Sequence, residues 1–536
     1  MLHSNTANQA SQAQEDGFDR TLPLSRHQIV ILLVSVMVVA ISGIAYELII
    51  AAVSSYLVGN GVLQFSLTIG LFMLAMGIGS LISQRIHGDL VTWFIGIEIL
   101  LSVLGGWSSS ILFWAFPGYT LYRPVSWALI LSIGTLVGLE IPLLTRILSR
   151  ASTWRAAIAN VLSLDYFGAL IGSVAFPLFL LPTLGLFQSS LGVALLNAIV
   201  AIITLVPFRR QLKHSGKLWV AAISAVLLLT AGLAGSNWLQ DRAEAQLFTA
   251  EIMFRKQTPY QRIIFTRDSR NGNIRLYLDG HLQFAQQDEH RYHEALVHPV
   301  MSMSAGGIAK DEGLRVLVLG GGDGLAVREL FKFPRVTQID LVDIDPAMTN
   351  LAKTLAPLRK LNEDAFFDER VKIHHADAFS FVQSHYGQAQ PKWGRVIIDL
   401  PDPHDEALSK LYSVEFYKLL AGCMDEGGML VCQSSSPFFT PHAFWCVAAT
   451  MEAAGLQTQS YTVPLASFGP WGFHIAAKDH AVPPQTQIDD SQTKFLTTER
   501  FAVAKTFGKD ESRVPTRPNT LFEPTIYLYY LNDLNR

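Results

Sequence analysis

Cysteine is scarce in this 536-residue chain: it has three, and all lie in the second half. Cys423, Cys432 and Cys446 are too few and too scattered for a disulfide framework or a zinc site. The chain also lacks a basic run interleaved with aromatic residues, which argues against a nucleic-acid partner. The composition therefore excludes a small disulfide-stapled protein and predicts neither a bound metal nor nucleic-acid binding.

Charge is scarce in the first part of the chain, with only ten charged side chains between His27 and Phe208. Seven apolar stretches there are long enough to cross a bilayer: 28–52, 61–83, 91–115, 124–145, 156–181, 184–206 and 218–236. Residues 1–26 are polar, typical of a solvated tail rather than a cleaved signal. The sequence predicts an all-α multi-pass membrane domain over 27–236, in contact with the lipid bilayer.

Basic residues cluster before the first apolar stretch and after the even-numbered ones, whereas the odd-numbered loops hold only Arg123. This pattern predicts a cytoplasmic N-terminus in the inner membrane. Seven crossings would then put the second half outside, although its chemistry favours the cytoplasm, and that conflict stays open. Four carboxylates fall within or near the stretches: Glu47, Glu98, Glu140 and Asp165. Glu47 and Asp165 are expected to lie deeper and could bind a cation, whereas Glu98 and Glu140 are either functional or interfacial.

The second half has the composition of a soluble protein. Residues 237–256 are interpreted as an amphipathic connector, and 257–300 as a small β-sheet platform with turns at Asn271-Gly272 and Asp279-Gly280. Strands alternate with helices over 301–480, which predicts a doubly wound, Rossmann-like domain related to class I methyltransferases. The predicted strands are 315–319, 338–342, 371–374, 395–398 and 429–432. Residues 481–536 form a C-terminal extension expected to pack on this domain.

A glycine-rich turn, Gly320-Gly-Gly-Asp323-Gly324, follows the first of these strands and precedes a helix. Asp343 ends the next strand 23 residues beyond Gly320, close to the usual interval for a carboxylate that holds ribose hydroxyls. The pattern predicts a nucleoside site. Asp377, after the third strand, either accepts a hydrogen bond from an adenine amino group or caps a helix.

Asp399 and Asp402 follow the fourth strand in Asp399-Leu-Pro-Asp402-Pro403. The pattern also occurs in turns, but its place beside the nucleoside site favours a functional role. Carboxylates there could hold ammonium groups or accept a proton from an attacking amine. Asp323, inside the glycine turn, disfavours a ligand tail that ends in a carboxylate and favours a bare amine. This combination points to decarboxylated S-adenosylmethionine as co-substrate.

Ordered motifs run from about Tyr260 to Phe473. They are Tyr260-Gln261, Leu278-Asp279-Gly280, Gln283, Asp288-Glu289, Tyr292-His293-Glu294, Gly320-Gly-Gly-Asp-Gly324, Asp343-Ile-Asp345, Asp377-Ala378, Asp399-x-x-Asp402-Pro403, Leu411-Tyr412, Gln433 and Trp471-Gly472-Phe473. In these motifs the chain resembles the polyamine aminopropyltransferases, in particular the spermidine synthases. Its first half resembles the multi-pass extension of some bacterial members.

The resemblance implies transfer of an aminopropyl group from decarboxylated S-adenosylmethionine to putrescine, without a prosthetic group. It implies that the co-substrate is bound by Gln261, His293, Asp323, Asp343, Asp377 and Ala378. Asp399 would be the catalytic base, and the amine would be held by Tyr292, Asp402 and Gln433. A homo-oligomer is also expected.

Two positions depart from the family pattern. Asp343 replaces a usual Glu, and either residue can chelate a ribose diol. Ala466, in Pro464-Leu-Ala-Ser-Phe-Gly469, replaces a tyrosine that contacts the acceptor, and Tyr461 or Phe468 would compensate only in part. Ala466 leaves open a transferase with another polyamine acceptor, and the acids within the apolar stretches leave open a non-catalytic membrane protein that binds or transports polyamines.

Overall fold

The chain folds into two compact units, residues 1–249 and 250–536. The computed structural model describes residues 24–59, 61–116, 119–151, 153–212, 214–247, 250–303, 313–388, 392–484 and 486–534. The predicted polar tail, 1–26, therefore lies almost wholly outside the described residues.

The first unit is helical because its long apolar runs are interrupted only by short polar links. Its helices are α1 (Arg26–Val58), α2 (Gly61–Ser83), α3 (Leu90–Ala115), α4 (Tyr119–Leu148), α5 (Trp154–Ala175), α6 (Leu181–Phe208), α7 (Ser215–Ala234) and α8 (Ser236–Leu247). Ser25 caps α1 through a reciprocal capping box with Gln28. The first seven helices coincide with the seven predicted apolar stretches.

Six helical runs in the described residues are long and apolar enough to cross a membrane. One of them, Trp154–Phe208, is 55 residues long, more than twice the ~20 residues that a bilayer needs. It combines α5 and α6 with a π-helical turn, Phe176–Leu180. The backbone of Gly185, near the start of α6, is not helical, with φ 70° and ψ −173°. Its length and the interruption at Gly185 therefore indicate two membrane-spanning segments instead of one.

The second unit begins with an antiparallel four-stranded sheet in the order β1-β2-β3-β4. Its strands are β1 (Glu251–Gln257), β2 (Arg262–Arg267), β3 (Ile274–Leu278) and β4 (His281–Ala285). Asp279 and Gly280 both have positive φ in the turn between β3 and β4, as a two-residue hairpin turn requires. Residues 251–256 were expected in the connector. That assignment was wrong, because residues 251–257 form β1 and pair antiparallel with β2.

The larger sheet has seven strands in the order β10-β11-β9-β8-β5-β6-β7. They are β5 (Leu314–Gly320), β6 (Val336–Asp343), β7 (Val371–His375), β8 (Trp393–Asp399), β9 (Met424–Gln433), β10 (Gln457–Leu465) and β11 (Gly469–Ala477). Strands β5 to β9 are parallel, as predicted. The sequence analysis missed β10 and β11, an antiparallel hairpin that adds to β9. This is the predicted Rossmann-like, methyltransferase-like architecture.

Helices cover both faces of this sheet, each buried against one of two apolar clusters. They are α9 (Glu289–Ser302), α10 (Leu325–Leu330), α11 (Pro346–Thr354), α12 (Ala356–Leu361), α13 (Ala378–His385), α14 (Glu406–Ser409), α15 (Val414–Cys423), α16 (Pro441–Ala453), α17 (Thr498–Ala504) and α18 (Thr525–Leu534). Single 3₁₀ turns occur at Ala365–Phe367, Lys410–Tyr412 and Asp490–Gln492.

Helix α9 is held in place by buried polar contacts from β8 and from residues 494–496. The Arg395 guanidinium on β8 donates to the carbonyl oxygens of Val300 and Met303, each at 2.8 Å. The fully buried Glu294 carboxylate accepts three backbone N–H bonds from residues 494–496 at 2.7–2.9 Å. Buried groups paired in this way are costly to disturb, so α9 presents Tyr292 and His293 in fixed positions.

Candidate active site

A cavity of about 560 Å³ lies in the second unit at the carboxyl ends of the parallel strands. Open α/β sheets bind ligands at this edge. All ten side chains proposed from the sequence line it: Gln261, Tyr292, His293, Asp323, Asp343, Asp377, Ala378, Asp399, Asp402 and Gln433. The structure thus brings together residues that are up to 172 positions apart in the chain.

The glycine turn brings the backbone close to two of the carboxylates. Gly320 has φ 80°, and a Cβ there would clash with the carbonyl oxygen of Asp399 on the neighbouring strand. A Cβ on Gly322 would clash with the Asp343 carboxylate. Glycine is therefore required at both positions. Because it has no side chain, the strand ends remain open to a ligand.

Asp323, in the turn after β5, and Asp343, at the end of β6, are half-buried acids. Asp323 accepts a hydrogen bond from the Leu325 N–H at 2.9 Å, and Asp343 accepts one from the Asp345 N–H at 2.8 Å. Burial raises the pKa of each carboxyl to about 6, and repulsion from Asp399 adds to the effect at Asp323. Both are ionised at neutral pH at an energetic cost, which a bound cation would relieve.

His293 is the buried cation next to these acids. Its Nδ1 lies 3.0 Å from the Glu289 carboxylate, which Arg328 also holds with bonds of 3.0 and 2.9 Å. Burial disfavours the charged imidazole, but Glu289, Asp323 and Asp399 together raise the pKa of His293 to about 9. The ring is therefore protonated at neutral pH and partly balances the charge of the cavity.

Asp399 lies at the centre of the cavity, at the end of β8. The Tyr292 hydroxyl donates a 2.6 Å hydrogen bond to its Oδ1. Burial raises the pKa of the Asp399 carboxyl, against the opposing effects of His293 and Tyr292. A half-buried carboxylate with a raised pKa, oriented by a tyrosine, has the properties of a general base.

Asp402 is held by three donors at the other end of the cavity. Tyr530 Oη and Ser435 Oγ donate to Asp402 Oδ2 at 3.1 and 3.2 Å, and Gln433 Nε2 lies 3.4 Å from Oδ1. Burial raises the pKa of Asp402 despite these bonds. The arrangement fixes the carboxylate in a position where it can receive an ammonium group.

Asp377 is a helix cap, and its predicted contact with an adenine amino group stays a prediction. It caps α13 through the Ser380 N–H at 2.9 Å, and it lines the cavity. Its other oxygen accepts a 2.7 Å bond from Lys410 Nζ. At the opposite wall, Gln261 Nε2 donates to Asp345 at 3.0 Å, beside Asp343. Among the described residues, no group of three His, Cys, Asp or Glu side chains could hold a metal ion.

Comparisons with known proteins identify the family. A family model described as "Spermine/spermidine synthase domain" matches residues 289–487. The chain is 39% identical to polyamine aminopropyltransferase 1 of Streptomyces coelicolor, over 94% of each chain. It is also 39% identical to the polyamine aminopropyltransferase of Leptospira interrogans, over 94% of this chain and 99% of that one.

The chain belongs to the polyamine aminopropyltransferase family. The resemblance found in the motifs is thereby confirmed, as is the prediction that the protein is an enzyme. Among solved structures, a spermidine synthase in complex with the transition-state analogue AdoDATO is 23% identical, with a TM-score of 0.42. That match covers 48% of this chain and 86% of the other.

The segment around Ala466 lies at one side of the cavity of this aminopropyltransferase. Ala466 is exposed, whereas the neighbouring Ser467 and Phe468 line the cavity, and Phe468 packs on Trp471 with ring centroids 4.8 Å apart. Tyr461 does not take the place of the missing tyrosine. Its ring is fully buried, and its hydroxyl donates to the Ala295 carbonyl at 2.7 Å.

Sequence reasoning missed three features of the aminopropyltransferase cavity. Tyr530 reaches it from α18, which is tied to α16 by hydrogen bonds from the His442 N–H and ring to Asp533, both at 2.8 Å. Lys410 lies after the Asp402 loop. The rings of His281 and His404 stack with centroids 4.6 Å apart, and burial and His404 lower the pKa of His281 to about 4. None of these residues stood in a recognisable motif.

Replacement of Asp323 by asparagine removes its charge and preserves its shape. Because folding raises the pKa from 3.8 to about 6, the native state binds the proton more tightly than the unfolded state. The free energy of unfolding therefore falls as pH rises through that window, by about 1–3 kcal/mol in all. We expect Asp323→Asn to unfold at a higher temperature than the wild type at neutral pH, with turnover lowered by about 100-fold or more.

The control is Asp479→Asn, which changes an exposed aspartate of the same unit and should alter neither quantity. Below the window, where Asp323 is protonated in both states, the unfolding temperatures of wild type and Asp323→Asn should converge. An unfolding temperature below that of the wild type at neutral pH would contradict the charge argument.

Proposed function

We propose that this aminopropyltransferase moves the aminopropyl group of decarboxylated S-adenosylmethionine to putrescine, giving spermidine and methylthioadenosine. The observation that carries the proposal is the half-buried pair of Tyr292 and Asp399, whose Oη and Oδ1 are 2.6 Å apart, with Asp323 and Asp402 lining the same cavity. These acids form a channel of negative charge with a base at its centre. Two cationic substrates are the ligands that such a channel favours.

Asp399 acts as the base. An alkyl amine is protonated at neutral pH and cannot attack until it loses a proton. Burial raises the pKa of Asp399 and so makes it a stronger base than an exposed aspartate. Tyr292 occupies Oδ1, which leaves Oδ2 to accept the proton.

The transfer is an in-line displacement at the propyl carbon next to the sulfonium. The amine lone pair forms the new C–N bond, the C–S bond breaks, and its electrons neutralise the sulfur. Methylthioadenosine leaves as a neutral thioether, and the proton lost by the nitrogen passes to Asp399. Because no covalent enzyme intermediate is needed, alignment of the two substrates supplies most of the rate enhancement.

The other residues of the cavity divide between the two substrates. Asp343 would hold the ribose hydroxyls beside Gln261, and Asp377 with Ala378 would meet the adenine. Asp323 would bind the ammonium of the aminopropyl group. At the acceptor end, Asp402 would hold the distal ammonium of the amine, supported by Gln433, Ser435 and Tyr530.

A second candidate function is transfer to a different polyamine. Ala466 supports it, because a small exposed residue stands where the family pattern has a tyrosine, and Phe468 with Trp471 forms the adjacent wall. An apolar wall at this point accommodates the methylene chain of an acceptor without offering it a hydroxyl. Chain length of the preferred amine therefore distinguishes the two candidates.

We further propose that the first unit spans the inner membrane, with the N-terminus in the cytoplasm and the enzyme as a homo-oligomer. The apolar helices α1 to α7 and the basic residues at one set of their ends support this arrangement. When the run Trp154–Phe208 is counted as two membrane-spanning segments, the total number of such segments is odd. With an odd number of crossings, the N-terminus and the catalytic unit lie on opposite sides of the membrane, so they cannot both be cytoplasmic.

The direct test incubates the solubilised full chain with decarboxylated S-adenosylmethionine and a panel of amines. We expect methylthioadenosine release to be fastest with putrescine and to fall by about 100-fold or more in Asp399→Asn. Asp479→Asn, an exposed substitution of the same kind, should retain full activity. Absence of release with every amine would refute the transferase proposal, and release by Asp399→Asn at the wild-type rate would refute the base.

Tyr530→Phe tests the acceptor end separately. Loss of one hydrogen bond to the Asp402 carboxylate should raise KM for the amine by about 10-fold and leave kcat within a factor of about 2, because Tyr530 positions Asp402 and does not touch the reacting atoms. The neighbouring Tyr529→Phe is the matched control, since that hydroxyl accepts a hydrogen bond from the Arg517 N–H outside the cavity. An unchanged KM for the amine in Tyr530→Phe would contradict this role.

A further inference from the structure

Several helices of the first unit carry polar side chains that are buried without a hydrogen-bond partner among the described residues, and two of these side chains are carboxyls. Glu98 on α3 and Tyr46 on α1 are 0% exposed, and Glu140 on α4 is 1% exposed. Among the described residues, none donates to or accepts from the Tyr46 hydroxyl or the four carboxyl oxygens. A buried, unsatisfied carboxyl costs several kcal/mol in an apolar surrounding, so two of them on adjacent helices require a physical reason.

Close helix packing points these side chains at one another. Gly105 lies seven positions after Glu98, on the same face of α3, and a Cβ there would clash with the Tyr46 ring. Gly43 and Val137, three positions before Tyr46 and Glu140, are also in contact, since a Cβ on Gly43 would lie 3.3 Å from Val137 Cγ1. The faces that carry Tyr46, Glu98 and Glu140 therefore meet where α1, α3 and α4 pack together.

The two glutamates also lie at one depth. Glu98 is eight residues after the start of α3 at Leu90, and Glu140 is eight residues before the end of α4 at Leu148. Eight residues of helix correspond to about 12 Å. Because α3 and α4 are consecutive helices in contact, both carboxyls fall well inside the apolar region. Both are close enough to Tyr46 to interact with it electrostatically.

Among the described residues, the surroundings of Glu98 and Glu140 supply negative charge and no balancing cation. Asp165 on α5 adds a third carboxyl within electrostatic range of Glu140. Arg146, six residues after Glu140 on α4, donates instead to the carbonyl oxygens of Ser83 and Ile86 at 3.0 and 2.9 Å. The carboxyls need a charge from outside the protein, either protons or a cationic ligand.

The spacing of the acids favours an extended cation over a point charge. Within the described residues, no three acids are close enough to share a metal ion. Glu140 nevertheless interacts electrostatically with Glu98 and with Asp165. A linear amine with two or three ammonium groups separated by methylenes would supply positive charge at more than one point along the row of carboxyls. The Tyr46 ring and the apolar helices suit the methylene chain, and an aromatic face also attracts ammonium groups.

We propose that the first unit contains a binding site for a linear polyammonium ion, formed by Glu98, Glu140 and Tyr46. The site itself is inferred from the first unit alone, whereas the choice of a di- or triamine as its ligand rests on the proposed function of the second. The enzyme then binds amines at two places, one catalytic and one within the apolar helices. A site at that depth is suited to the passage or sensing of the amine.

Equilibrium binding tests the site on the full chain in lipid nanodiscs, with radiolabelled putrescine and spermidine. The wild type should bind two equivalents of amine, and Glu98→Gln/Glu140→Gln should bind one and still release methylthioadenosine. Glu47→Gln changes another buried carboxylate of the same unit and should bind two. Butylamine, with one ammonium group, should bind the second site at least ~10-fold more weakly.

Binding of two equivalents of amine by the double variant, or of only one by the wild type, would overturn the proposal. If the double variant does not fold, the wild type still gives an answer: spermidine should protect Glu98 and Glu140, but not Glu47, from dicyclohexylcarbodiimide, as mapped by mass spectrometry. Equal labelling with and without spermidine would also overturn it. Loss of the second equivalent in a protein that releases no methylthioadenosine would uphold this site and refute the transferase proposal instead.

Discussion

The structure of the catalytic unit depends on an excess of buried negative charge at one edge of its sheet. Seven aspartates line the cavity: Asp279, Asp323, Asp343, Asp377, Asp399, Asp402 and Asp405. The cations that face them, His293 and Lys410, are each bound to one carboxylate already, Glu289 and Asp377. The remaining acids are destabilised by burial, as the raised pKa values of Asp323 and Asp343 show. Cationic substrates relieve this cost, so binding energy and chemical selectivity have the same source.

Rigid surroundings are needed to hold like charges together. Arg328 and Glu289 fix His293 from behind, Arg395 and Glu294 fix the helix that carries it, and the backbone of the glycine turn lies against Asp399. Each of these contacts is buried and satisfied. The unsatisfied charge is confined to the cavity, where a ligand can reach it. The first unit repeats the pattern at smaller scale, because Glu98 and Glu140 are buried there without a hydrogen-bond partner among the described residues.

Much of this arrangement could be predicted from the sequence, because parallel strands bring their carboxyl ends to one edge. That rule alone places Asp343, Asp377 and Asp399 near the glycine turn, and the apolar runs gave α1 to α7 within a few residues. Tyr530 and Lys410 could not be predicted, since they reach the cavity through tertiary packing and have no local pattern. Strands β10 and β11 were missed for a related reason: their residues pair antiparallel to β9, outside the strand–helix alternation. The burial of Glu98 and Glu140 likewise depends on which helix faces meet.

The central claim is that buried carboxylates select a nucleoside whose tail ends in an amine and reject one that also carries a carboxylate. S-adenosylmethionine and its decarboxylated form differ only in that group. The most direct measurement is therefore the ratio of their dissociation constants for the full chain, determined by calorimetry at neutral pH without an acceptor amine. We expect the decarboxylated form to bind at least ~100-fold more tightly, a difference of about 2.7 kcal/mol. Equal dissociation constants would contradict the account.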